Sequence, residues 1–223
     1  MASVVSQDYD NFEWIIVDGK SQDKTHELLE EIRKLSIACK VLEEEDNGIY
    51  DAMNKGIDLA EGDYCIFLNS GDYFYNNSVL TDIQRFLTAD IIVGKILMLH
   101  PLQPERNRIK SWEKRTFNKN FFYNRTLPHQ ATFIRRDLFR LYGQYDLIFK
   151  IRGDHDFFSR VCLVPEVSVV LASICVSVYY VDGLSFKMKN SALDNFEKSL
   201  VHQRNFPKMY LWMRKIFSVI TPS

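Results

Sequence analysis

Short apolar runs alternate with amphipathic stretches through the first half of the chain. The runs EWIIV, CKVLEEE, YCIFL and DIIVGKILML have the length and β-branched content of buried strands. Between them, THELLEEIRKL places Leu28, Leu29, Ile32 and Leu35 on one helical face, and YDAMNKGIDLA and NNSVLTDIQRFL also have a helical period. This alternation predicts an α/β fold with a mostly parallel central sheet flanked by helices.

The second half is less regular. Residues 106–124 are basic and aromatic with weak periodicity, which predicts a loop. HQATFIRRDLFRLYG indicates a strand and then a helix, DHDFF begins a short helix, and NSALDNFEKSLVHQRN indicates a surface helix. We therefore divide the chain into a main domain, residues 1–186, and a C-terminal helical extension, residues 187–223.

The final segment, FPKMYLWMRKIFSVI, mixes cations with large apolar side chains. Two interpretations stay open for it: an ordinary helix packed on the core, or an interfacial helix on an anionic membrane.

Composition narrows the class of protein. A chain of 223 residues with 46% hydrophobic and 26% charged residues is typical of one globular domain. The net charge of −1 gives no reason to expect nucleic-acid binding, and the four cysteines lack metal-binding spacing. The least polar window, residues 167–181, is shorter than the roughly 20 residues of a membrane-spanning helix. With no signal-peptide pattern at the start, we expect a cytoplasmic protein.

Polar side chains gather where three of the predicted strands end, in VDGKSQD, EEDNGIYD and LNSGD. Ligands of open α/β sheets bind at the carboxyl ends of the strands, so these segments are expected to share one rim. Their oxygen atoms suit a hard divalent cation and a nucleotide. The rim comprises Asp18, Ser21, Asp23, Asp46, Asp51, Asn54, Lys55, Asn69 and Asp72.

Three ordered motifs carry a family resemblance: WIIVDGKSQDKT, then DNGIYDAMNKGIDLAEGDYCIFLNSGDYF, then HQATFIRRDLFRLYGQYD followed by GDHDFF. Together they resemble the family 2 glycosyltransferases, and within them the bacterial exopolysaccharide subgroup of the colanic-acid type. The resemblance covers most of residues 7–186. It implies a GT-A fold, a nucleotide-diphosphate sugar donor (a UDP-sugar being favoured), a divalent cation (Mn²⁺ or Mg²⁺), inversion at the anomeric carbon and a saccharide acceptor, typically lipid-linked.

The resemblance assigns the nucleotide to the first two motifs. VDGKSQDKT matches the family turn VDDGSxDxT, which implies that Asp18 binds the base or ribose, while Gly19 replaces the second Asp. In AMNKG, Met53 stands where Arg is common, and Lys55 is the candidate for the phosphates. Asp51 and Lys55 alternatively form a solvated i, i+4 pair. The implied nucleotide-binding residues are Asp18, Ser21, Asp51, Asn54 and Lys55.

The resemblance assigns the metal to NSGD, which takes the place of the family's D-x-D motif. Asn69 stands where the first acid usually lies, which leaves Asp72 as the one strong metal ligand. A divalent ion there would neutralise charge on the leaving diphosphate. Asp72 as a plain turn residue is the alternative.

The resemblance places the proton acceptor in GDHDFF. Asp154 matches the second acid of the family's E-D pair and is implied as the general base, although it is also a candidate helix cap. His129, Gln130 and Asp156 are implied near the acceptor; a structural histidine and a helix-orienting aspartate are the alternatives for the first and last. Residues 182–185, DGLS, resemble the loop that closes over the donor.

One departure from the family concerns the start of the chain. Family members open with a strand and helix carrying a motif like SIITVxxN, whereas MASVVSQDYDNF corresponds to the end of that helix. We expect the first strand to be absent, a sheet edge to be exposed, and activity and solubility to be low.

Two alternative functions stay open. One is a non-catalytic remnant of the fold that serves as a scaffold, which the missing strand favours. The other is a sugar-nucleotide nucleotidyltransferase, although the Gly-rich basic loop usual in that class is not seen in the sequence.

Overall fold

A computed structural model describes residues 1–34, 38–181 and 188–220, the last six of these by their backbone alone. The helices are α1 (Ala2–Val5), α2 (Thr25–Ile32), α3 (Ile49–Leu59), α4 (Val79–Ile83), α5 (Lys119–Asn124), α6 (Asp137–Tyr142), α7 (Gly153–Val161), α8 (Ala192–Asn205) and α9 (Lys208–Ile220). Short 3₁₀ turns occupy Gln84–Phe86, Pro104–Arg106 and His129–Ala131. The predicted donor-closing loop, residues 182–185, lies outside the described residues.

The strands form two sheets. The strands are β1 (Trp14–Asp18), β2 (Cys39–Glu43), β3 (Tyr64–Cys65), β4 (Tyr73–Phe74), β5 (Ile91–Leu99), β6 (Arg108–Lys110), β7 (Thr132–Arg135) and β8 (Val169–Tyr180). β1 and β2 form a parallel pair, and the larger sheet has the order β3-β7-β5-β8-β4, with β6 beside β5.

The predicted α/β fold with flanking helices is confirmed, but the sheet is mixed rather than mostly parallel. In the larger sheet β5–β8 is parallel, whereas β3–β7, β5–β7, β5–β6 and β4–β8 are antiparallel. Parallel neighbours need a crossover of about a dozen residues or more. The short link between β5 and β6 permits only a hairpin, and strands as short as β4 and β6 leave no recognisable apolar run.

The edges of the two sheets face a common cavity of about 1320 Å³. Trp14, Ile15 and Val17 of β1 line one side, and residues 66–68, which extend β3, line the other. Among the described residues no strand pairing joins β1 to the larger sheet. The resemblance predicts an unpaired edge of this kind.

The main core includes side chains from two stretches that the sequence predicts as a loop and as a surface helix. In the predicted loop 106–124, Trp112, Phe121 and Phe122 are buried, the last two within α5. The predicted surface helix α8 buries Val201 in the core, together with two acidic residues considered below. The aromatic residues of 106–124 do not follow a helical period, and the buried acids of α8 count as polar. The hydrophobic pattern therefore predicts less burial than the structure has in these two segments. By contrast, Leu28 of the predicted α2 face is 40% exposed.

The C-terminal helix α9 packs on the core with one face. The ring of Tyr210 stacks on Phe206, and the Arg214 guanidinium lies 4.7 Å above the ring of Tyr123. Met209 and Trp212 are 71% and 63% exposed on its other side. None of the described helices has both the length and the apolar character needed to cross a membrane. One face of α9 therefore packs on the core, as one of the two interpretations predicts, and the other face is exposed.

His155 joins α7 to α5 inside this core. Its side chain is wholly buried, and its Nε2 lies 2.5 Å from the Phe122 carbonyl oxygen. Burial lowers the pKa of His155 from 6.5 to about 4.

We predict that this buried histidine makes stability fall between about pH 6.5 and pH 4. Over that range the unfolded chain takes up a proton on His155 that the folded protein does not, so the free energy of unfolding decreases as pH decreases, by up to about 3 kcal/mol. Urea unfolding at several pH values measures the slope. His155→Gln removes this contribution, so an unchanged slope in the variant contradicts the prediction.

Candidate active site

Three separate chain segments meet at one end of the large cavity. They are the 69–72 turn after β3, the His129–Ala131 turn before β7, and the start of α7. Asn69, Asp72, His129, Gln130 and Asp154 all contribute to the cavity wall. The structure thus brings the implied metal ligands, the implied base and two of the implied acceptor residues to one cleft.

The NSGD turn carries Asp72 to the tip of its strand. The Asp72 N–H donates to the Asn69 carbonyl at 2.9 Å, and the Asn69 N–H lies 3.2 Å from Asp72 Oδ2. Gly71 has a φ of +95°, a region that favours glycine. Burial raises the pKa of Asp72 to about 6, against the opposing influence of His129, the Asn69 N–H and the Gln130 side chain. The Asp72 anion therefore lies where a neighbouring cation is strongly favoured.

His129 lies between the two aspartates. Its Nε2 is 2.9 Å from Asn69 Nδ2, and its Nδ1 is 3.7 Å from Asp154 Oδ2. An amide nitrogen only donates, so a neutral imidazole in this contact accepts at Nε2 and carries its hydrogen at Nδ1. Nδ1 is buried and has no hydrogen-bond partner among the described residues. This is not a fully satisfied structural histidine, and its free N–H faces Asp154.

Asp154 opens α7, but it is not the cap. The N-cap position is occupied by Arg152, and Asp154 Oδ1 accepts from the adjacent His155 N–H at 2.7 Å. A Cβ on Gly153 would come within 2.8 Å of the Tyr50 ring, so the start of the helix sits directly against that ring. The Tyr50 hydroxyl lies 3.4 Å from Asp154 Oδ1.

Tyr50 was not singled out by the sequence. Burial, then the charge of Asp154, raises the pKa of Tyr50 well above its ordinary value, so its hydroxyl remains a donor. α3 lines the cavity through Ile49, Ala52, Met53 and Gly56, whereas Tyr50 is buried in the core and reaches Asp154 from there.

A second polar group lies at the ends of β1 and β2. Asp18 accepts hydrogen bonds from the Ser21 N–H at 2.9 Å and the Ser21 hydroxyl at 2.6 Å. A Cβ on Gly19 would come 2.3 Å from an Asp46 carboxylate oxygen. Glycine at the position where the family has its second Asp thus makes room for Asp46, which brings a second carboxylate to this rim.

None of the implied nucleotide ligands lines the cavity: Asp18 and Ser21 lie just beyond Val17 at the end of β1, and the other three lie on the opposite side of α3. Asn54 uses its amide twice on the Tyr145 backbone, donating to the carbonyl at 2.8 Å and accepting from the N–H at 3.1 Å. Lys55 donates to the Glu45 carbonyl at 2.6 Å and lies 3.8 Å from Asp51. The Lys55 contact holds the loop before α3, the Asn54 contacts hold the backbone at Tyr145, and the i, i+4 pairing of Asp51 and Lys55 is present.

Asp156 is separated from Asp154 by the body of α7, contrary to its implied place at the acceptor. It lines a second, smaller cavity, where its Oδ2 lies 3.4 Å from Arg160 Nε and its Oδ1 accepts from Asn205 Nδ2 at 3.0 Å. Two positions along a helix differ by about 200°, so these two acids point to different sides.

The donor set fits a divalent cation only in part. Within the described ranges no cluster of three histidine, cysteine or acidic side chains is placed to hold a metal ion. Asp72 supplies one carboxylate, and Asn69 adds an amide oxygen. Mg²⁺ and similar ions are commonly held by one or two carboxylates with substrate phosphates and water, so the residues fit a cation shared with a bound diphosphate.

Comparison with known proteins places this arrangement in a family. Residues 1–143 match the family described as "Glycosyl transferase family 2". A "PGL/p-HBAD biosynthesis glycosyltransferase" of Mycobacterium tuberculosis is 32% identical over 181 residues, which cover 77% of this chain and 68% of that protein. "Putative glycosyltransferase EpsH" of Bacillus subtilis is 36% identical over 73 residues, covering 33% of this chain and 21% of its own.

Among solved structures, S. aureus TarS 1-349 in complex with UDP-GlcNAc superposes with a TM-score of 0.70 at 20% identity. The match covers 93% of this chain and 62% of that one, so this chain is shorter than the proteins it resembles. At this identity the likeness shows the fold, which is that of the GT-A glycosyltransferases. The match over residues 1–143, together with the 32% identical relative, shows that the chain belongs to glycosyl transferase family 2.

Proposed function

We propose that this chain transfers a sugar from a nucleotide-diphosphate sugar to a saccharide acceptor, with inversion at the anomeric carbon and with help from a divalent cation. The observation that carries the proposal is the single cavity in which Asn69 and His129 connect Asp72 to Asp154. UDP-GlcNAc is bound in the structurally similar TarS, which supports a UDP-sugar as donor.

Asp154 is the proposed general base. An alcohol becomes a nucleophile when a carboxylate takes its proton as the new C–O bond forms, and the N-terminus of α7 favours the negative charge of that carboxylate. His129 Nδ1 faces one oxygen of Asp154 at 3.7 Å, which is longer than a hydrogen bond, and the Tyr50 hydroxyl lies near the other oxygen. Inversion requires base and leaving group on opposite faces of the sugar, which suits two aspartates on separate segments of the cavity wall.

Asp72, with Asn69, is the proposed holder of the cation. When bound, the cation supplies positive charge to the diphosphate, whose negative charge grows as the sugar leaves. The raised pKa of Asp72, which burial causes, supports this role because a cation relieves the cost of a buried anion.

Asp18 and Ser21, with Asp46 beside them, form the proposed base and ribose contact. His129 and Gln130 complete the acceptor side of the cavity. By resemblance to the exopolysaccharide subgroup, the acceptor is a growing cell-surface saccharide, typically lipid-linked. A lipid-linked acceptor implies that the enzyme is cytoplasmic and works at the inner face of the plasma membrane.

The outer face of α9 is the proposed membrane contact. Met209, Trp212 and Met213 are exposed there, and Lys208 and Lys215 lie in the same helix. Aromatic and sulfur side chains among lysines suit the interface of an anionic bilayer.

We predict that Asp154→Asn slows release of UDP from UDP-GlcNAc in the presence of Mn²⁺ by a factor of about 10² to 10⁴, because the acceptor loses its base. Asp156→Asn is the matched control on the same helix. It is expected to keep the turnover rate but to lower stability by about 1–3 kcal/mol, since Asp156 is buried against Arg160 and Asn205.

The products of this assay separate the alternatives. Release of pyrophosphate would favour a nucleotidyltransferase, and a folded chain that neither binds UDP nor releases it would favour the scaffold. Full activity of Asp154→Asn would remove the proposed mechanism.

We predict that Mn²⁺ strengthens UDP binding by at least about tenfold in the wild type and not in Asp72→Asn, because the variant loses the carboxylate that shares the cation with the diphosphate. Titration calorimetry with Mn²⁺ or with EDTA measures the difference. Asp18→Asn serves as the control, since it should weaken UDP binding equally under both conditions. Equal affinity with and without Mn²⁺ in the wild type rules out the cation.

We predict that the full chain floats with phosphatidylglycerol vesicles and that a triple variant, Met209→Ser with Trp212→Ser and Met213→Ser, does not. Phe196→Ser, which removes a 64% exposed aromatic from α8, should float like the wild type. Equal flotation of the triple variant would exclude α9 as the membrane contact.

A further inference from the structure

Glu197 of α8 is an acidic residue with 1% exposure that the proposed reaction does not use. Its carboxylate accepts three backbone hydrogen bonds, from the N–H groups of Lys150 at 2.8 Å, Ile151 at 3.0 Å and Arg152 at 2.9 Å. Bonds to an ionised acceptor are about twice as strong as neutral ones. Residues 150–152, which Glu197 binds, lead directly into α7 and Asp154.

Asp194, three residues earlier on α8, holds the same segment through a side chain. Arg152 places Nε 2.8 Å from Asp194 Oδ1 and donates from Nη2 to Oδ2 at 3.0 Å. Asp194 is 3% exposed, and the guanidinium meets it in the two-point geometry that fixes orientation as well as distance.

The opposite side of the segment is held by Tyr50 of α3, a core residue beside Asp154. The Tyr50 hydroxyl donates to the Ile151 carbonyl at 2.7 Å, while the next N–H, that of Arg152, donates to Glu197. These two groups belong to one peptide plane, which is therefore fixed at both polar ends. With Gly153 packed against the Tyr50 ring, the backbone has little freedom before it reaches Asp154.

The Glu197 carboxylate is needed for its hydrogen-bond acceptors and not only for its volume. The three N–H groups that Glu197 satisfies belong to the residues that lead into α7 and end at its N-cap, Arg152. An amide side chain at position 197 would turn an NH₂ group towards one of the N–H donors. Glutamine therefore matches glutamate in size while breaking the arrangement.

We propose that Glu197 and Asp194 are positioning residues that fix the Asp154 carboxylate in the orientation that accepts the proton, which makes α8 part of the catalytic apparatus. The proposal rests on the proposed role of Asp154 as base. It concerns a region beyond the family match, which ends at residue 143.

The test uses the full chain carrying Glu197→Gln, with Glu166→Gln as the matched control at an exposed carboxylate. We expect kcat for UDP release from UDP-GlcNAc to fall by about tenfold to a hundredfold in Glu197→Gln, since catalysis is sensitive to displacements of about 1 Å. The KM for the donor should change by less than about twofold. Hydrogen exchange should accelerate at the amides of residues 150–152. The control variant should leave kcat, KM and the exchange rates unchanged.

A wild-type kcat in Glu197→Gln, with Asp154→Asn inactive, would overturn the positioning role and leave the proposed function standing. Full activity of Asp154→Asn would overturn both, which separates the two failures. A parallel loss of kcat, donor affinity and overall melting temperature would identify Glu197 as a purely structural residue. If Glu197→Gln does not fold, Asp194→Asn decides: a smaller fall in kcat at constant KM supports the proposal, and no fall removes it.

Discussion

The register between β3 and β7 fixes the site. Tyr64 lies opposite Arg135 and Cys65 opposite Ile134, so each step forward on one strand is a step back on the other. Beyond the paired residues, Asn69 follows β3 and His129 precedes β7 at the same end of the strand pair, and Asn69 Nδ2 lies 2.9 Å from His129 Nε2. A parallel arrangement of these strands would carry the two motifs to different positions along the sheet. The antiparallel pairing that the sequence pattern did not predict therefore builds the candidate site.

Two carboxylates near the candidate site, those of Asp72 and Asp194, have pKa values shifted in opposite directions. Asp72 is half-buried, its charge is incompletely compensated, and burial raises its pKa. Asp194 instead has its pKa lowered, because the hydrogen bonds and charge of Arg152 and the Asn190 N–H outweigh its burial. An acid whose charge is already matched supports structure, whereas one left short of positive charge attracts a ligand that brings it. The pKa values of the two carboxylates are therefore shifted in opposite directions, and of the two it is Asp72 that is left short of positive charge.

The extent to which the sequence predicts this molecule follows from the range of each interaction. Strands such as β1 and β5 and the helices α2 and α3 depend on local periodicity, and the pattern finds them. NSGD marks its own turn because Gly71 needs a positive φ. The roles of Tyr50 and Glu197 depend on partners about 50 to 100 residues away in the chain, Ile151 and Arg152 among them, and no local pattern reports such a contact. The contact of Asn54 escapes the local pattern for the same reason, since its partner is the distant backbone of Tyr145 and its side chain does not line the cavity.

The buried acids of α8 raise a question of cost, because desolvating a carboxylate is unfavourable unless its oxygens are fully bonded. Glu197 meets that condition with three backbone N–H groups, and Asp194 with a two-point arginine contact. An apolar residue at position 197 would avoid the desolvation but would leave those N–H groups without partners. The arrangement also makes the path of the chain into α7 independent of any ligand, since each contact is made before substrate arrives. A base held in place in advance needs little reorganisation during the reaction, which is the condition under which a single carboxylate contributes most to rate.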